Sequence, residues 1–266
     1  MQVNRSGYYN YFKKMISVRS SEEENILIEL KALHKKSDKS YGSRRMSEGL
    51  KAKGYNVGRY RARSLMRKTN IECKQRRRFR ITTQSNHAFP IAENVLNREF
   101  AVSTPNHTWV ADITYIWTHE GWLYLAGVLD LFSRRVVGWS LASHMREDLV
   151  HDALLMAIGR RMPNSELLHH SDRGCQYASI NYRNLLKQNG ITVSMSRKGN
   201  CWDNAVMERF FGSLKSERTD NKIYLTREQA KADVIDYIEM FYNSERLHST
   251  LGYVSPMQYE KENHIS

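Results

Sequence analysis

Between positions 108 and 141 the chain packs three apolar runs, 109–117, 123–130 and 135–141, rich in β-branched and aromatic residues and separated by only a few residues each. Connections that short dictate antiparallel pairing, because a parallel pair needs a crossover of a dozen or more residues. His119-Glu120-Gly121 supplies the first turn of the resulting three-stranded meander. The pattern then changes to alternation. A helix is expected over 146–160, where Leu149, Leu154 and Ile158 recur at helical spacing, then a strand over 167–171, a helix over 180–188 and a strand over 192–194. A further helix opens at Asp203, which reads as its N-cap, and a last one starts with the capping box Thr226-Arg-Glu-Gln229 and runs to about Tyr242. Ala230, Val234, Ile238 and Phe241 share one face of it. Strands and helices in this order make an α/β domain, a mixed sheet flanked by helices.

Charge divides the chain in two. Of 41 Lys and Arg against 28 Asp and Glu, residues 1–100 hold 23 and 9, and residues 101–266 hold 18 and 19, so the formal +13 belongs to the N-terminal part. Twelve basic residues face one acid, Glu72, between Lys51 and Arg80. A polyanion is the natural partner, since each phosphate neutralised releases counterions. Helices are expected from Ser20 to about His34, with Ile26, Ile28, Leu30 and Leu33, and from Ser43 to Lys53, closed by Gly54. A third is expected from a cap at Asn56 to about Lys68, with Tyr60, Leu65 and Met66 inward and Arg59, Arg61, Arg63 and Arg67 outward. Two short helices joined by a glycine turn, the second rich in arginine, match a helix-turn-helix outline. Residues 1–70 therefore read as a helical DNA-binding region. Residues 71–105 read as a basic linker in which Arg76, Arg77 and Arg78 can lie along phosphate backbone, and residues 106–266 as the α/β core with its C-terminal helix and tail.

Other classes are disfavoured. No run of 18 apolar residues exists and the N-terminus lacks a signal-peptide core, so no membrane span and a cytoplasmic location are expected. Three cysteines, Cys73, Cys175 and Cys201, show no CxxC spacing, which argues against a zinc finger or disulfide framework.

Three acids stand out by placement. Asp112 sits in mid-strand among Val110, Ile113 and Ile116, where an unpaired carboxylate is costly. Asp172 ends a strand, at the sheet edge where α/β proteins bind ligands. Glu208 shares a helix stripe with Asn204, Gly212 and Lys215, opposite Val206, Phe210 and Leu214. Brought together, three carboxylates repel and call for a divalent cation. Oxygen ligands favour Mg²⁺ or Mn²⁺ over zinc, and two such ions are the known arrangement for phosphodiester chemistry. Asp130 is left out, with Arg134 as its expected ion-pair partner.

The words around these acids are specific: Trp109-Val-Ala-Asp-Ile-Thr-Tyr115, His170-Ser-Asp-Arg-Gly-Cys-Gln-Tyr177, Ser196 through Ala205 on to Glu208-Arg-Phe-Phe211, and Tyr242-Asn-Ser-Glu-Arg-Leu-His-Ser249 before Leu251 to Pro256. Fifty-nine residues separate Asp112 from Asp172, and 35 separate Asp172 from Glu208. The chain resembles the second-reading-frame (OrfB) transposases of bacterial insertion sequences of the IS-three family, with a retroviral-integrase-type (D-D-E) catalytic core. The resemblance covers nearly the whole chain and implies an RNase H-like fold behind a helix-turn-helix-like domain.

It also implies Mg-dependent DNA cleavage and strand transfer at element ends. Asp112 would bridge two ions, and Asp172 and Glu208 would each hold one. Hydrolysis or attack at an element end would free a 3′-OH, which would then attack another phosphodiester in line, with no covalent protein–DNA intermediate. Asn204, Arg209 and Lys215 become candidates for contacting DNA, and Gln176 and Tyr177 for positioning the loop after Asp172. Double-stranded element ends and target DNA are the implied partners. So are a first-frame (OrfA) product, fused or separate, and a homo-oligomer assembled on DNA in the nucleoid. Cys175 departs from the small polar residue expected there, and this chain shows no sustained heptad pattern of its own. The same acids would serve an RNase H-like nuclease that cuts without joining. A catalytically silent DNA-binding regulator is the alternative from another class.

Overall fold

A computed structural model describes residues 4–15, 18–74, 91–163, 166–197 and 201–263. Arg76, Arg77 and Arg78 lie outside the described residues. The chain divides into two compact units, Met1–Gln75 and Arg76–Ser266.

The first unit contains helices α1 (Arg5–Met15), α2 (Val18–Lys36), α3 (Ser43–Ala52) and α4 (Arg59–Lys68). Ile26, Leu30 and Leu33 recur at i, i+4 and i+7 on α2 and are buried with Met46 and Leu50 of α3 and Ala62, Leu65 and Met66 of α4. Gly54, at φ +89°, ends α3 in a conformation that costs other residues strain. Three expectations fail here. Ile28 falls on the outer face. Helix α4 starts at Arg59 with Gly58 in the cap position rather than at Asn56. Tyr60 points outward and is 82% exposed, because at about 100° per residue it lies about 120–140° round the helix from Leu65 and Met66, whereas Ala62 lies within about 60° of both. Arg59, Arg61, Arg63 and Arg67 are all exposed.

The second unit is built on a five-stranded sheet of order β3-β2-β1-β4-β5. Strands β1 (Thr108–Thr118), β2 (Gly121–Asp130) and β3 (Val136–Ala142) form the antiparallel meander. Strands β4 (Leu168–Ser171) and β5 (Thr192–Met195) add in parallel on the far side of β1. Alternate residues of each strand feed two cores. On one face Val110, Ile116, Leu123 and Leu125 pack against the last helices. These are α8 (Ala205–Leu214), α9 (Arg227–Asp236) and the π-helical segment Tyr237–Asn243 that continues it. On the other face Trp109, Ala111, Ala126 and Val128 pack against α5 (Glu147–Arg161) and α7 (Ile180–Gln188). A short helix, α6 (Cys175–Ala178), precedes α7, and α10 (Pro256–Glu262) closes the described chain. Gly138 admits α5 closely: a Cβ there would stand 2.1 Å from the Ala153 carbonyl oxygen. The arrangement is the mixed, helix-flanked sheet of an RNase H-like fold.

Three further departures have physical causes. Residues 91–105 do not behave as a bare linker. Leu96 is buried in the first core, and Val95 and Leu96 donate their N–H groups to Ser194 Oγ at 3.0 and 3.1 Å. Asp130 is paired with Arg161 (3.7 Å) and accepts from the Asn106 and Phe132 N–H groups. Arg134 instead adopts φ +59° and donates to the Phe100 carbonyl at 2.9 Å. The final helix widens into π geometry at Tyr237, and this slip buries Tyr242 and Asn243 beside the half-buried Phe241. Asn243 then pairs its side-chain amide with both the N–H and the C=O of Val136, acting as a short strand partner for β3.

Candidate active site

Ala111 and Ser171 are partners in the parallel β1–β4 ladder, so Asp112 and Asp172 are the next residues in register and project to the same face. That face carries α8. The two acids meet where β4 ends, because β4 stops at Ser171 while β1 continues to Thr118. Burial raises the Asp112 carboxyl well above the ordinary 3.8, and the nearby charge of Asp172 adds to this, with a smaller push from Glu208. The Ile113 N–H opposes the shift through a hydrogen bond to Asp112 Oδ1 at 2.8 Å. Asp172 Oδ1 accepts from Gly174 N–H at 2.9 Å, which folds the chain back on itself directly after the acid.

Helix α8 lies alongside this pair, anchored at both ends to β1. Asn204 Nδ2 donates to the Ala111 carbonyl at 3.2 Å. Lys215 Nζ stands 4.7 Å from the centre of the Tyr115 ring. Eleven helical residues rise about 16 Å and four strand residues about 13 Å, so helix and strand keep pace with each other. Glu208, one turn beyond Asn204, is thereby carried beside Asp112. Its carboxyl is exposed, and partial burial raises it above its ordinary value. Burial lowers the Lys215 ammonium from its ordinary value, against the pull of Asp220 and Asp112. The helix can sit this close because Gly127 of β2 lies beneath it, where a Cβ would meet Met207 Cε at 3.3 Å.

Two of the three expected carboxylates are therefore side by side and the third is adjacent. Among the described residues no three His, Cys, Asp or Glu side chains are gathered closely enough to hold an ion. The donors suit a hard divalent cation: two facing carboxylates that oppose each other's ionisation, and a buried Asn204 Oδ1 without a hydrogen-bond partner beside them.

Asp203 is not the helix cap expected of it. A 3₁₀ turn, Cys201–Asn204, precedes α8, and the Asp203 carboxylate points away from the helix. It accepts from Asn94 Nδ2 (2.8 Å), Arg98 Nε (2.9 Å) and Arg197 N–H (3.0 Å). Burial would raise its pKa, but those donors outweigh it and hold the carboxyl below the ordinary 3.8. Sequence reading missed this clamp because two of its three partners, Asn94 and Arg98, lie more than a hundred positions upstream.

It also missed His170. Ser194 Oγ already accepts two backbone N–H groups, so its own proton goes to His170 Nδ1 at 2.8 Å. His170 Nε2–H then donates to Ser196 Oγ at 3.1 Å, and Ser196 Oγ donates to the Ser171 carbonyl. This chain needs a neutral imidazole. Burial lowers the His170 pKa to about 4, consistent with that state. The adjacent paired strands β4 and β5 are thus tied together immediately before Asp172.

The remaining candidates are scattered around the pair. Gln176 is buried and donates to the Met145 carbonyl at 2.9 Å, and Tyr177 is buried beneath Asp112 and Asp172, whose charges help burial raise its phenol. Arg209 is exposed and close enough to Arg134 to disfavour that guanidinium's charge.

Two family models described as integrase core domain match residues 102–201 and 208–263, and one described as HTH-like domain matches residues 21–79. The insertion element IS600 uncharacterized 31 kDa protein of Shigella sonnei is 44% identical over 262 residues, covering 98% of this chain and 96% of that protein. Transposase InsF for insertion sequence IS3A of Escherichia coli (strain K12) is 40% identical over 265 residues, covering 99% and 92%. A chain of the simian T-cell lymphotropic virus intasome in complex with PP2A regulatory subunit B56 gamma is 19% identical, with a TM-score of 0.47 over 86% of this chain and 73% of that one. With near-complete coverage at this identity, the chain belongs to the IS3-family transposases, joining an HTH-like domain to an integrase core domain.

Proposed function

We propose that this transposase cleaves and joins DNA at insertion-element ends through a D-D-E site made of Asp112, Asp172 and Glu208. The observation that supports this most is the in-register placement of Asp112 and Asp172 under a helix that carries Glu208 alongside them. These three carboxylates would hold Mg²⁺ or Mn²⁺, in two sites. When bound, such ions activate an attacking oxygen and stabilise a leaving one. The chain's own residues supply position. Asp112 is fixed by Ile113 N–H and Asp172 by Gly174 N–H, and Asn204 sets the height of Glu208 along β1. Gln176 and Tyr177 brace the loop after Asp172.

DNA contacts are assigned to Asn204, Arg209 and Lys215 near the site, and to Arg59, Arg61, Arg63 and Arg67 on α4 with Arg76, Arg77 and Arg78 beyond it. The working assembly brings together two DNA ends, several copies of the chain and a first-frame product, fused or separate. It acts in the cytoplasm at the nucleoid. Among the described residues no helix is long and apolar enough to cross a membrane.

The test uses purified chain, supplied with its first-frame partner, and labelled element-end DNA with Mg²⁺ or EDTA. Strand-joined products should appear with Mg²⁺ only. Glu208→Gln should reduce them by roughly 10³-fold, equivalent to a few kcal/mol of barrier. Joining that survives Glu208→Gln removes Glu208 from the site, and cleavage without joining reassigns the protein as a nuclease.

A further inference from the structure

The β1–β2 hairpin ends in an aromatic cluster that the reaction as described does not use. Trp117 and Trp122 face each other across the hairpin, with ring centres 4.8 Å apart and edges turned to faces. Tyr115 meets Trp122 in the same way at 4.9 Å. The two indoles are 57% and 42% exposed. They lie on the odd-numbered side of β1, beyond Ile113, the last β1 residue to pack into the second core. Cations border them. Lys215 Nζ sits over the Tyr115 ring, and the Arg227 guanidinium donates to the Trp122 carbonyl at 3.1 Å and lies against Gly121. The neighbouring acid, Glu120, already accepts from Arg227 N–H.

Cross-strand aromatic pairs strengthen a hairpin. That role leaves the exposure of two tryptophans and their cationic border unaccounted for. Aromatic faces beside Lys and Arg are the chemistry that holds nucleic-acid bases: rings stack on the bases and cations take the phosphates. Unpaired bases fit this surface, because bases inside a duplex present edges rather than faces. Asp112 is even-numbered and faces α8, so the aromatic cluster lies on the other face of the sheet, about 10 Å (Tyr115) and 17 Å (Trp117) further along β1. β4 ends at Ser171, so among the described residues β1 has no strand neighbour on that side beyond Asp112, and Lys215, at the end of α8, reaches the Tyr115 ring there.

We propose that Tyr115, Trp117 and Trp122 form a stacking platform for unpaired bases of the DNA strand that passes the carboxylate site. The platform holds an opened strand end that has passed the free edge of β1, and Lys215 links the two faces by contacting the platform from the end of the helix that bears Glu208. The proposal rests on the reading of Asp112 as part of the active site, which sets the distances.

The test measures binding without catalysis. Full-length chain in EDTA, wild type and Asp112→Asn, is mixed with oligonucleotides carrying 5-iododeoxyuridine in a single strand, in a duplex with a frayed end, or in a fully paired duplex. Irradiation should crosslink peptides spanning 115–122 to the first two and not to the third. The double variant Trp117→Ala, Trp122→Ala should bind single-stranded DNA at least ~10-fold more weakly while binding paired duplex as before, and Trp→Phe at both positions should recover most of the affinity. Crosslinks elsewhere only, or unchanged single-strand affinity in the alanine variant, overturn the platform, even if that variant melts at a lower temperature. A variant that changes the sedimentation of the DNA-free protein but not its DNA affinity also overturns it, assigning the patch to contact between copies. If joining survives Asp112→Asn while the crosslinks persist, the site reading fails and the stacking surface stands. If joining is lost and the crosslinks are absent, the reverse holds.

Discussion

Arg98 donates its Nε–H to the fully buried carboxylate of Asp203 at 2.9 Å, joining the segment that enters the catalytic unit to the turn that opens α8. Asp203 also receives Asn94 and the Arg197 N–H, so one carboxylate fixes three stretches of chain. Removing it strands three donors. Asp203→Ala should destabilise the catalytic unit by about 3 kcal/mol, read by urea denaturation. Its pKa is held below the ordinary 3.8 in the folded chain, so its contribution is complete above that value and fades as pH falls through the folded pKa. The stability difference between wild type and Asp203→Ala should therefore shrink only in strong acid, below about pH 4.

The opposite sign applies at Asp112. Its carboxyl is raised by burial and by Asp172, so the folded metal-free chain takes up a proton more readily than the unfolded one. Its cost is absent below the unfolded pKa near 3.8 and grows as pH rises toward the folded value. Asp112→Asn should thus stabilise the metal-free protein at neutral pH, by about 1 kcal/mol or a few degrees in Tm. Added Mg²⁺ should raise the Tm of wild type and leave that of the variant nearly unchanged. Equal responses to Mg²⁺ would remove Asp112 from the metal site.

Asn204 acts through the height of α8. Asn204→Ala loses the bond to the Ala111 carbonyl and should lower joining about 10- to 100-fold. The split matters more than the size: kcat should fall by a larger factor than DNA affinity, although Asn204 is also assigned to DNA. A fall in affinity with kcat unchanged would leave Asn204 a DNA contact only.

On α4, Arg61 and Arg63 are exposed. Replacing both with alanine should weaken duplex binding and reduce the slope of log K against log[salt] by up to ~1.8, about 0.9 for each lost phosphate contact. An unchanged slope would take α4 off the DNA.

Much of this was legible from pattern alone. The five strands and the helices between them follow from apolar periodicity and short connections, and the register that pairs Asp112 with Asp172 follows from where β4 ends. What escaped depends on contacts distant in sequence or on local slips that periodicity does not record. Asp203 looks like a helix cap until Arg98 is brought to it. Phe241 looks like the core residue until a π turn brings in Tyr242. Glu208 sits on the expected stripe, exposed, beside Asp112, whose ionisation burial and Asp172 oppose.

The burial of Leu96 against the sheet bears on where the molecule can be divided. A catalytic fragment begun at residue 106, where the strand pattern starts, would expose an apolar hole, leave Ser194 with neither of its N–H donors and strip Asp203 of Arg98 and Asn94. Cutting there would yield a sheet whose active-site helix has lost its upstream brace. A fragment begun at residue 91 keeps every one of those bonds, so the catalytic unit needs chain well ahead of Thr108, where its first strand starts.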